Sequence, residues 1–331
     1  MTRADGKGRV LVAGGGLAGL ACGIGLRLAG FEVEVHEKQS YPLKKVCGEF
    51  LSPSGWQLCR QWGVQGLLDR PPRPLERARL YYSRSGFVDF RLDPPAWGIS
   101  RQSLDAALAR RFRDLGGALM EGSEVRPETG TGERRGLWVD ARGRQGRGGR
   151  ARWLGWKAYL DPSAAPGWLE PGRLILFALK GGYGGLLQVE DGRFNACLIT
   201  RAPARLDEVL ASHPLLAELA PRLVHFASVA GFSLGGHPAG EGLGVGDRLA
   251  TWPPVVGDGM TAALKEGRDL AGWISRGGRE PGEWREAGLA SRRAPLRKAL
   301  WLHRAMRIPW VPALAAPWPG TLTRLYRWSR A

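Results

Sequence analysis

Six residues near the start of the chain, Gly14-Gly15-Gly16-Leu17-Ala18-Gly19, form a G-x-G-x-x-G motif. In this motif the first glycine allows a tight turn, the second lets the backbone approach a pyrophosphate, and the third permits close helix–strand packing. Free N–H groups at the start of the following helix stabilise the phosphates. The carboxylate of Glu37 lies farther along and can accept hydrogen bonds from a ribose diol. The motif and the acid predict a dinucleotide site.

The elements that must position these residues have the pattern of a β–α–β unit. Residues 9–13 are predicted to form a short buried strand, and apolar residues at helical spacing follow up to Gly30. Residues 31–36 alternate as a second strand, with Glu37 at its end. The alternative to a dinucleotide site is a glycine-rich turn that binds no ligand. Glu37 disfavours a 2′-phosphate, and the motif alone leaves NAD and FAD open.

A second set of residues, far along the chain, distinguishes between the two cofactors. Gly246-Asp247 is followed by Gly257-Asp258-Gly259-Met260 and a helical run to Ile274. An aspartate at a strand end can bind a ribityl hydroxyl, and a glycine-rich helix start can place N–H groups beside a flavin or a pyrophosphate. Together the two ends of the chain favour FAD.

Four blocks resemble the FAD-dependent oxidoreductase superfamily that contains geranylgeranyl reductases, aromatic-ring hydroxylases and flavin halogenases. They follow the family's order: the first motif through Glu37-Lys38, Lys45-Val-Cys-Gly-Glu-Phe-Leu-Ser-Pro53, Gly98-Ile-Ser-Arg101 with Leu104-Asp105, and Gly246-Asp247 to Met260. The second block resembles the reductase branch and its close relatives.

The resemblance implies a set of FAD-binding residues. It assigns the pyrophosphate turn to Gly14, Gly16, Leu17, Ala18 and Gly19, the ribose acid to Glu37 and its adenine-side neighbour to Lys38. Arg101 matches a cofactor-contacting arginine, and Val125 matches an adenine contact. Asp247 matches the ribityl aspartate, and Gly257, Gly259 and Met260 match the segment beside the flavin ring. The alternative for Arg101 is a surface arginine that caps its own helix.

The family's fold implies an α/β architecture, in which a Rossmann-like FAD-binding domain is interleaved with an antiparallel β-sheet substrate domain and followed by a C-terminal helical tail. We assign the FAD domain to residues 1–78, 98–150 and 240–280, the substrate domain to 79–97 and 151–239, and the tail to 281–331. Residues 80–83 and 87–92 read as a hairpin. Residues 174–179 and 194–199 read as another, with a glycine-rich turn, 181–186, between them.

Three residues are candidates for catalysis: Cys47, Glu49 and Tyr183. The flavin would supply the redox chemistry, and the protein the position, the exclusion of water and the proton sources. Glu49 is a proton donor if burial raises its pKa, or else a helix-start carboxylate. Cys47 is a reactive thiol or a small packing residue. Tyr183 lies over the flavin ring or is an ordinary hairpin aromatic.

The chain departs from the family's hydroxylases at residues 139–150. The Asp-Gly motif expected there is interrupted after Asp140, and the sequence has no second dinucleotide motif suited to NADPH. We therefore expect a separate electron donor. The main functional prediction is a geranylgeranyl-reductase-type enzyme that reduces alkenes of an apolar isoprenoid or polyketide-like substrate. The alternatives are a monooxygenase of a similar substrate and, because the segment after Val125 is short, a non-catalytic FAD-binding protein.

Composition and charge limit the other classes. The chain has 331 residues, of which 44% are hydrophobic, and a formal net charge of +17. Between Arg285 and Ala331 it has ten Lys or Arg and one acid, Glu286. This tail is predicted to be a helical lid or a peripheral membrane contact, and no motif supports nucleic-acid binding. The four cysteines form no metal-like cluster, and we expect no metal site. No signal peptide is recognisable, which favours a cytoplasmic protein.

Overall fold

A computed structural model describes residues 8–125, 136–144, 153–237, 242–308, 310–314 and 317–330. The strands are β1 (Arg9–Ala13), β2 (Glu32–Glu37), β3 (Phe50–Leu51), β4 (Arg73–Tyr81), β5 (Phe87–Gly98), β6 (Ala118–Glu121), β7 (Leu137–Asp140), β8 (Trp153–Leu160), β9 (Arg173–Leu179), β10 (Gly182–Gln188), β11 (Phe194–Arg201), β12 (Leu223–Phe232), β13 (Gly235–Gly236), β14 (Leu243–Gly244) and β15 (Ala250–Thr251). The helices are α1 (Leu17–Leu28), α2 (Pro53–Gln61), α3 (Arg101–Asp114), α4 (Leu206–Ala211), α5 (Pro214–Leu219), α6 (Gly259–Ser275), α7 (Pro281–Met306), α8 (Trp310–Ala313) and α9 (Pro319–Arg330).

Five parallel strands form the first sheet, in the order β14-β7-β1-β2-β6. Ala13 at the end of β1 pairs with His36 of β2 and with Asp140 of β7, so the carboxyl ends of these strands meet at one edge. Helix α1 packs against α3 and α6, and its Leu20 and Ile24 are fully buried in the core beside the sheet. This is the Rossmann-like arrangement that the sequence predicts.

Eight strands form the second sheet, in the order β12-β8-β11-β10-β9-β4-β5-β3. The sheet was predicted to be antiparallel, but β4 and β9 pair in parallel, so it is mixed. A parallel pair requires a crossover connection. Here the chain makes that crossover through the first sheet, because α3, β6 and β7 all lie between β4 and β9 in sequence. The hairpin of β4 and β5 is confirmed.

The glycine-rich segment predicted as a turn is instead strand β10, which pairs with both β9 and β11. Two of its glycines have close neighbours, a backbone oxygen at Gly182 and a side-chain carbon at Gly184, whereas Gly185 has only ordinary contacts. A Cβ on Gly182 would lie 2.3 Å from the carbonyl oxygen of Ile199, and one on Gly184 would lie 2.1 Å from Cδ2 of Leu198. Glycine therefore serves packing here, and Tyr183 lies in a strand.

The C-terminal helices fold back over the second sheet. Helix α9 packs on β5, where the hydroxyl of Tyr326 donates to the carbonyl oxygen of Pro94 at 3.0 Å. The predicted helical tail is thus present as α7, α8 and α9. Within the described ranges, no helix has the length and apolarity needed to cross a membrane.

Candidate functional site

A single cavity of about 820 Å³ extends from the carboxyl edge of the parallel sheet to the second sheet and the C-terminal helices. Two helix N-termini border it, those of α1 and α6. Gly16 and Asp258 precede these helices; neither end has a side-chain cap, and neither has an acid in its first turn. Uncapped helix N-termini carry free N–H groups and partial positive charge. Both therefore suit an anionic group such as a pyrophosphate.

The three motif glycines have different physical roles. Gly14 has a φ of +107°, and a Cβ there would lie 2.3 Å from the carbonyl oxygen of Ala141. A Cβ on Gly19 would lie 1.9 Å from the carbonyl oxygen of Gly14. Around Gly16 the nearest atom to such a Cβ is Nη2 of Arg101, at 3.9 Å. The protein's own packing explains Gly14 and Gly19, whereas the space beside Gly16 is open to a ligand.

Glu37 lies at the end of β2 and is buried. Its Oε2 accepts a hydrogen bond from the N–H of Gly15 at 2.9 Å, and its Oε1 accepts one from the N–H of Gln39 at 3.2 Å. The carboxylate therefore fixes the glycine turn as well as bordering the cavity. Lys38 and Val125 border the same end of the cavity.

Arg101 is the first residue of α3, and its guanidinium is held by the fully buried Asp105. Nε and Nη2 donate to the two carboxylate oxygens at 3.1 and 2.9 Å. The Arg101 side chain is 14% exposed and borders the cavity. The alternative, a surface arginine that caps its own helix, does not match this burial. The guanidinium is a fixed cation beside the open space at Gly16.

Glu49 is fully buried and has a φ of +57°, which is unusual for a residue other than glycine. Its Oε1 accepts from Nζ of Lys157 at 2.5 Å, from the hydroxyl of Tyr159 at 2.8 Å and from the N–H of Arg101 at 2.8 Å. Burial raises the pKa of Glu49, and the positive charge of Lys157 opposes that rise. With donors on all sides, the carboxylate is held as an acceptor at the start of α3. The accepted hydrogen bonds fit the helix-start role, whereas the raised pKa fits a proton donor, so the donor role of Glu49 stays a prediction.

Cys47 lies beside Glu49 and borders the cavity as a half-buried free thiol. Its carbonyl oxygen accepts a hydrogen bond from Nδ2 of Asn195 at 2.9 Å, and its Sγ accepts one from the N–H of Glu49 at 3.4 Å. The contacts anchor the loop to β11. They fit the packing role and leave a reactive role as a prediction.

Tyr183 borders the cavity from β10, and its hydroxyl lies 3.0 Å from Nδ1 of His303 on α7. Burial raises the pKa of Tyr183 well above its ordinary value. Burial, together with the nearby Arg307 and Arg304, lowers the pKa of His303 to about 4. A neutral imidazole therefore meets a neutral phenol inside the protein, and this contact ties the tail to the second sheet.

Asp247 borders the cavity after β14, but a partner that the sequence did not predict binds its carboxylate. Nε of Arg144 donates to Oδ2 of Asp247 at 2.8 Å. Nearby, Asp140 accepts from Arg142 at 2.9 Å and from Arg248 at 2.7 Å. Burial alone would raise the pKa of Asp140, but these arginines hold it below its ordinary value. A ribityl chain would compete with Arg144 for Asp247. Residues 145–150 of the basic segment lie outside the described residues.

Glu266 on α6 is a further residue that sequence reasoning missed. It is fully buried, and its Oε2 accepts from the N–H of Gly246 at 2.9 Å. Nε of Arg292, on α7, lies 2.9 Å from its Oε1. Burial raises the pKa of Glu266 to about 7, and Arg292 opposes the rise. In the sequence, Glu266 is marked only as an acid on an otherwise apolar helix face. That pattern does not reveal the partners of Glu266.

The far end of the cavity is apolar. Its walls come from the second sheet and from the C-terminal helices, which supply among others Leu80, Phe90, Leu92, Leu174, Leu176, Leu198, Phe232, Leu302, Met306, Leu322 and Leu325. The C-terminal helices thus form part of the cavity wall. Of the residues that the sequence assigned to FAD or to catalysis, all but Gly19 border this cavity, and Gly19 packs behind it against Gly14.

Solved structures share this architecture. A flavin-dependent brominase, Bmp2 in a triple-mutant form, superposes with a TM-score of 0.73 over 96% of this chain and 93% of its own, at 17% identity. The chain therefore has the same fold as this brominase. At that identity the likeness concerns the fold alone, and it confirms the predicted α/β class.

Two fungal proteins match parts of the sequence. The FAD-dependent monooxygenase OpS4 of Beauveria bassiana is 31% identical over 127 residues, covering 35% of this chain and 30% of that protein. The FAD-dependent monooxygenase sdgC of Emericella nidulans is 40% identical over 81 residues, covering 24% and 17%. The chain thus spans less than a third of either relative. No family model matches it.

Proposed function

We propose that this protein is an FAD-dependent monooxygenase that acts on an apolar small molecule. One observation carries the proposal: a single cavity joins two uncapped helix N-termini to an apolar chamber. A cofactor with a pyrophosphate fits the first part of this cavity. A substrate without charge fits the second.

The residues present fit FAD. The open space at Gly16, the guanidinium of Arg101 and the N-termini of α1 and α6 suit a pyrophosphate. Glu37 and Asp247 offer carboxylates for the sugar and ribityl hydroxyls, once the hydrogen bonds that now occupy them are shared or exchanged. The bound flavin would supply the redox chemistry. The chain's own contributions are to bind it, to orient it and to keep water from the apolar chamber.

The monooxygenase, given above as an alternative, replaces the reductase as the preferred function. Both named sequence relatives are FAD-dependent monooxygenases, and neither is a reductase. The geranylgeranyl-reductase branch therefore has no support beyond the resemblance of the segment around Cys47 and Glu49.

The source of electrons is part of the proposal. The sequence has a single dinucleotide motif, and in the described residues that motif lies at the FAD end of the cavity. We expect a separate electron donor, and hence slow reduction of the bound flavin by NADPH alone.

Two measurements test the proposal in order. Heat release followed by chromatography should identify FAD; if the protein neither carries flavin nor takes up added FAD, the proposal fails. The FAD-loaded protein is then reduced chemically and exposed to ¹⁸O₂ with farnesol or 1-naphthol as apolar probes. Incorporation of one ¹⁸O atom into a probe supports the monooxygenase. Addition of two hydrogens without ¹⁸O would restore the reductase.

A further inference from the structure

The outer side of the C-terminal helices carries an unusual concentration of exposed indole rings. Six of the ten exposed large apolar side chains among the described residues lie between residues 301 and 328. We call this surface the tryptophan face, and define it by Trp301, Trp310, Leu314, Trp318 and Trp328, which are 54%, 64%, 63%, 66% and 41% exposed. Two of these rings, Trp301 and Trp328, are in contact, and exposed apolar groups that lie together mark sites of interaction.

Basic side chains lie on the same side of α7 as Trp301. Arg293, Arg297 and Arg304 are exposed, and their spacing places them on one side of the helix with Trp301. Buried residues such as His303 lie on the opposite side. The recorded ion pairs of the described residues include none of these three arginines. Glu286 is the only acid in the sequence after Arg285.

Contacts between α7 and α9 fix two rings of the tryptophan face. The rings of Trp301 and Trp328 pack edge to face with centroids 6.3 Å apart. Nζ of Lys298 lies 4.9 Å from the centroid of the Trp328 ring and donates to the Trp328 carbonyl oxygen at 3.2 Å. The inner sides of the same two helices, through Met306 and Leu322, line the apolar chamber. One pair of helices thus separates the chamber from the tryptophan face.

We propose that the tryptophan face docks on the surface of an anionic lipid bilayer. Indole rings are favoured at the level of lipid headgroups, and arginines near an anionic surface are attracted to it. The aliphatic side chain of Leu314 gains from burial among acyl chains and would gain little from a nucleic acid. The inference does not depend on the reaction, because it concerns only the outer side of the helices.

Sedimentation with vesicles of equal parts phosphatidylcholine and phosphatidylglycerol tests the proposal, with phosphatidylcholine alone as the comparison. The full chain should sediment only with the anionic vesicles, and salt should release it. Replacing Arg293, Arg297 and Arg304 by Gln should weaken binding about a hundredfold. The matched control replaces three exposed arginines elsewhere, Arg60, Arg70 and Arg84, and lowers the net charge equally. Its binding should remain close to that of the parent protein.

A second pair of changes tests the rings. Trp310→Ser with Trp318→Ser should weaken binding to the anionic vesicles while thermal unfolding stays as in the parent, since both side chains are exposed. Three results would overturn the proposal: no sedimentation with anionic vesicles, equal losses in the two arginine triples, or unchanged binding after the tryptophan changes. Binding to single-stranded DNA that the first triple abolishes, without vesicle binding, would assign the face to nucleic acid instead.

Discussion

The two ends of the cavity are built differently. The FAD end depends on backbone: glycines at Gly14, Gly16 and Gly19 and the N-termini of two helices. The apolar end depends on side chains brought together from the second sheet and the tail, as in the contact between Tyr183 and His303. A site for a common cofactor can thus be encoded in a short segment, whereas a site for a particular substrate is formed by residues from distant parts of the chain. Single changes at residues that face the cavity should therefore affect ligand affinity, whereas changes at residues that pack within the protein, such as Gly19, should affect stability.

The largest effect is expected where the two ends meet. Lys157→Met would leave the buried carboxylate of Glu49 without its cation, and loss of one partner of a buried pair costs about 3–5 kcal/mol. We expect a corresponding loss in the free energy of unfolding, measured by denaturant titration. Lys180→Met, at an exposed lysine in the turn between β9 and β10, is the control. Equal stabilities of the two variants would contradict the buried pair.

Next in size is the difference between two motif glycines. Gly19→Ala places a Cβ 1.9 Å from a backbone oxygen and should lower stability by about 3 kcal/mol. Gly16→Ala has no atom closer than 3.9 Å, so stability should be kept while FAD affinity falls at least about tenfold. Thermal unfolding and FAD titration separate the two outcomes. A loss of stability in Gly16→Ala would show that Gly16, like Gly19, is required by packing within the protein and not by a ligand.

A smaller effect is expected at Glu37. Glu37→Gln removes the charge that should bind the ribose diol and should weaken FAD binding about tenfold, or about 1.4 kcal/mol. Glu32→Gln, at the exposed start of the same strand, is the control. Titration with FAD, followed by flavin fluorescence, measures both. If the two variants bind FAD alike, Glu37 serves only to fix Gly15.

The last effect concerns pH. The pKa of His303 falls from 6.5 to about 4 on folding, so the unfolded chain binds more protons between these values. This contribution to stability is complete above about pH 6.5 and is lost as the pH falls towards 4. His303→Gln should therefore flatten the decline of the unfolding temperature across that interval. Parallel declines in parent and variant would show that another group controls it.

What the sequence could predict follows the same division. The glycine motif, the strand that ends at Glu37 and the helix that starts at Arg101 were predicted because their signals are local. The partners of Glu49 and Tyr183 lie 108 and 120 residues away in sequence, and no periodicity reports such contacts. The segment around Gly184 was wrongly predicted as a turn, since glycine required by side-chain crowding looks like glycine required by backbone rotation. The domain boundaries stay predictions.

The parallel pairing of β4 with β9 has a consequence for how the protein is made. The parallel partner of β4, strand β9, is synthesised only after α3, β6 and β7. The edge strand β14 of the first sheet is synthesised later still. Neither sheet can be complete on the ribosome while the other is missing. Contacts between distant parts of a chain slow folding, so a nascent chain that stops before Leu243 should expose unpaired strand edges and recruit chaperones. We expect the two sheets to form cooperatively, and fragments cut between them to aggregate.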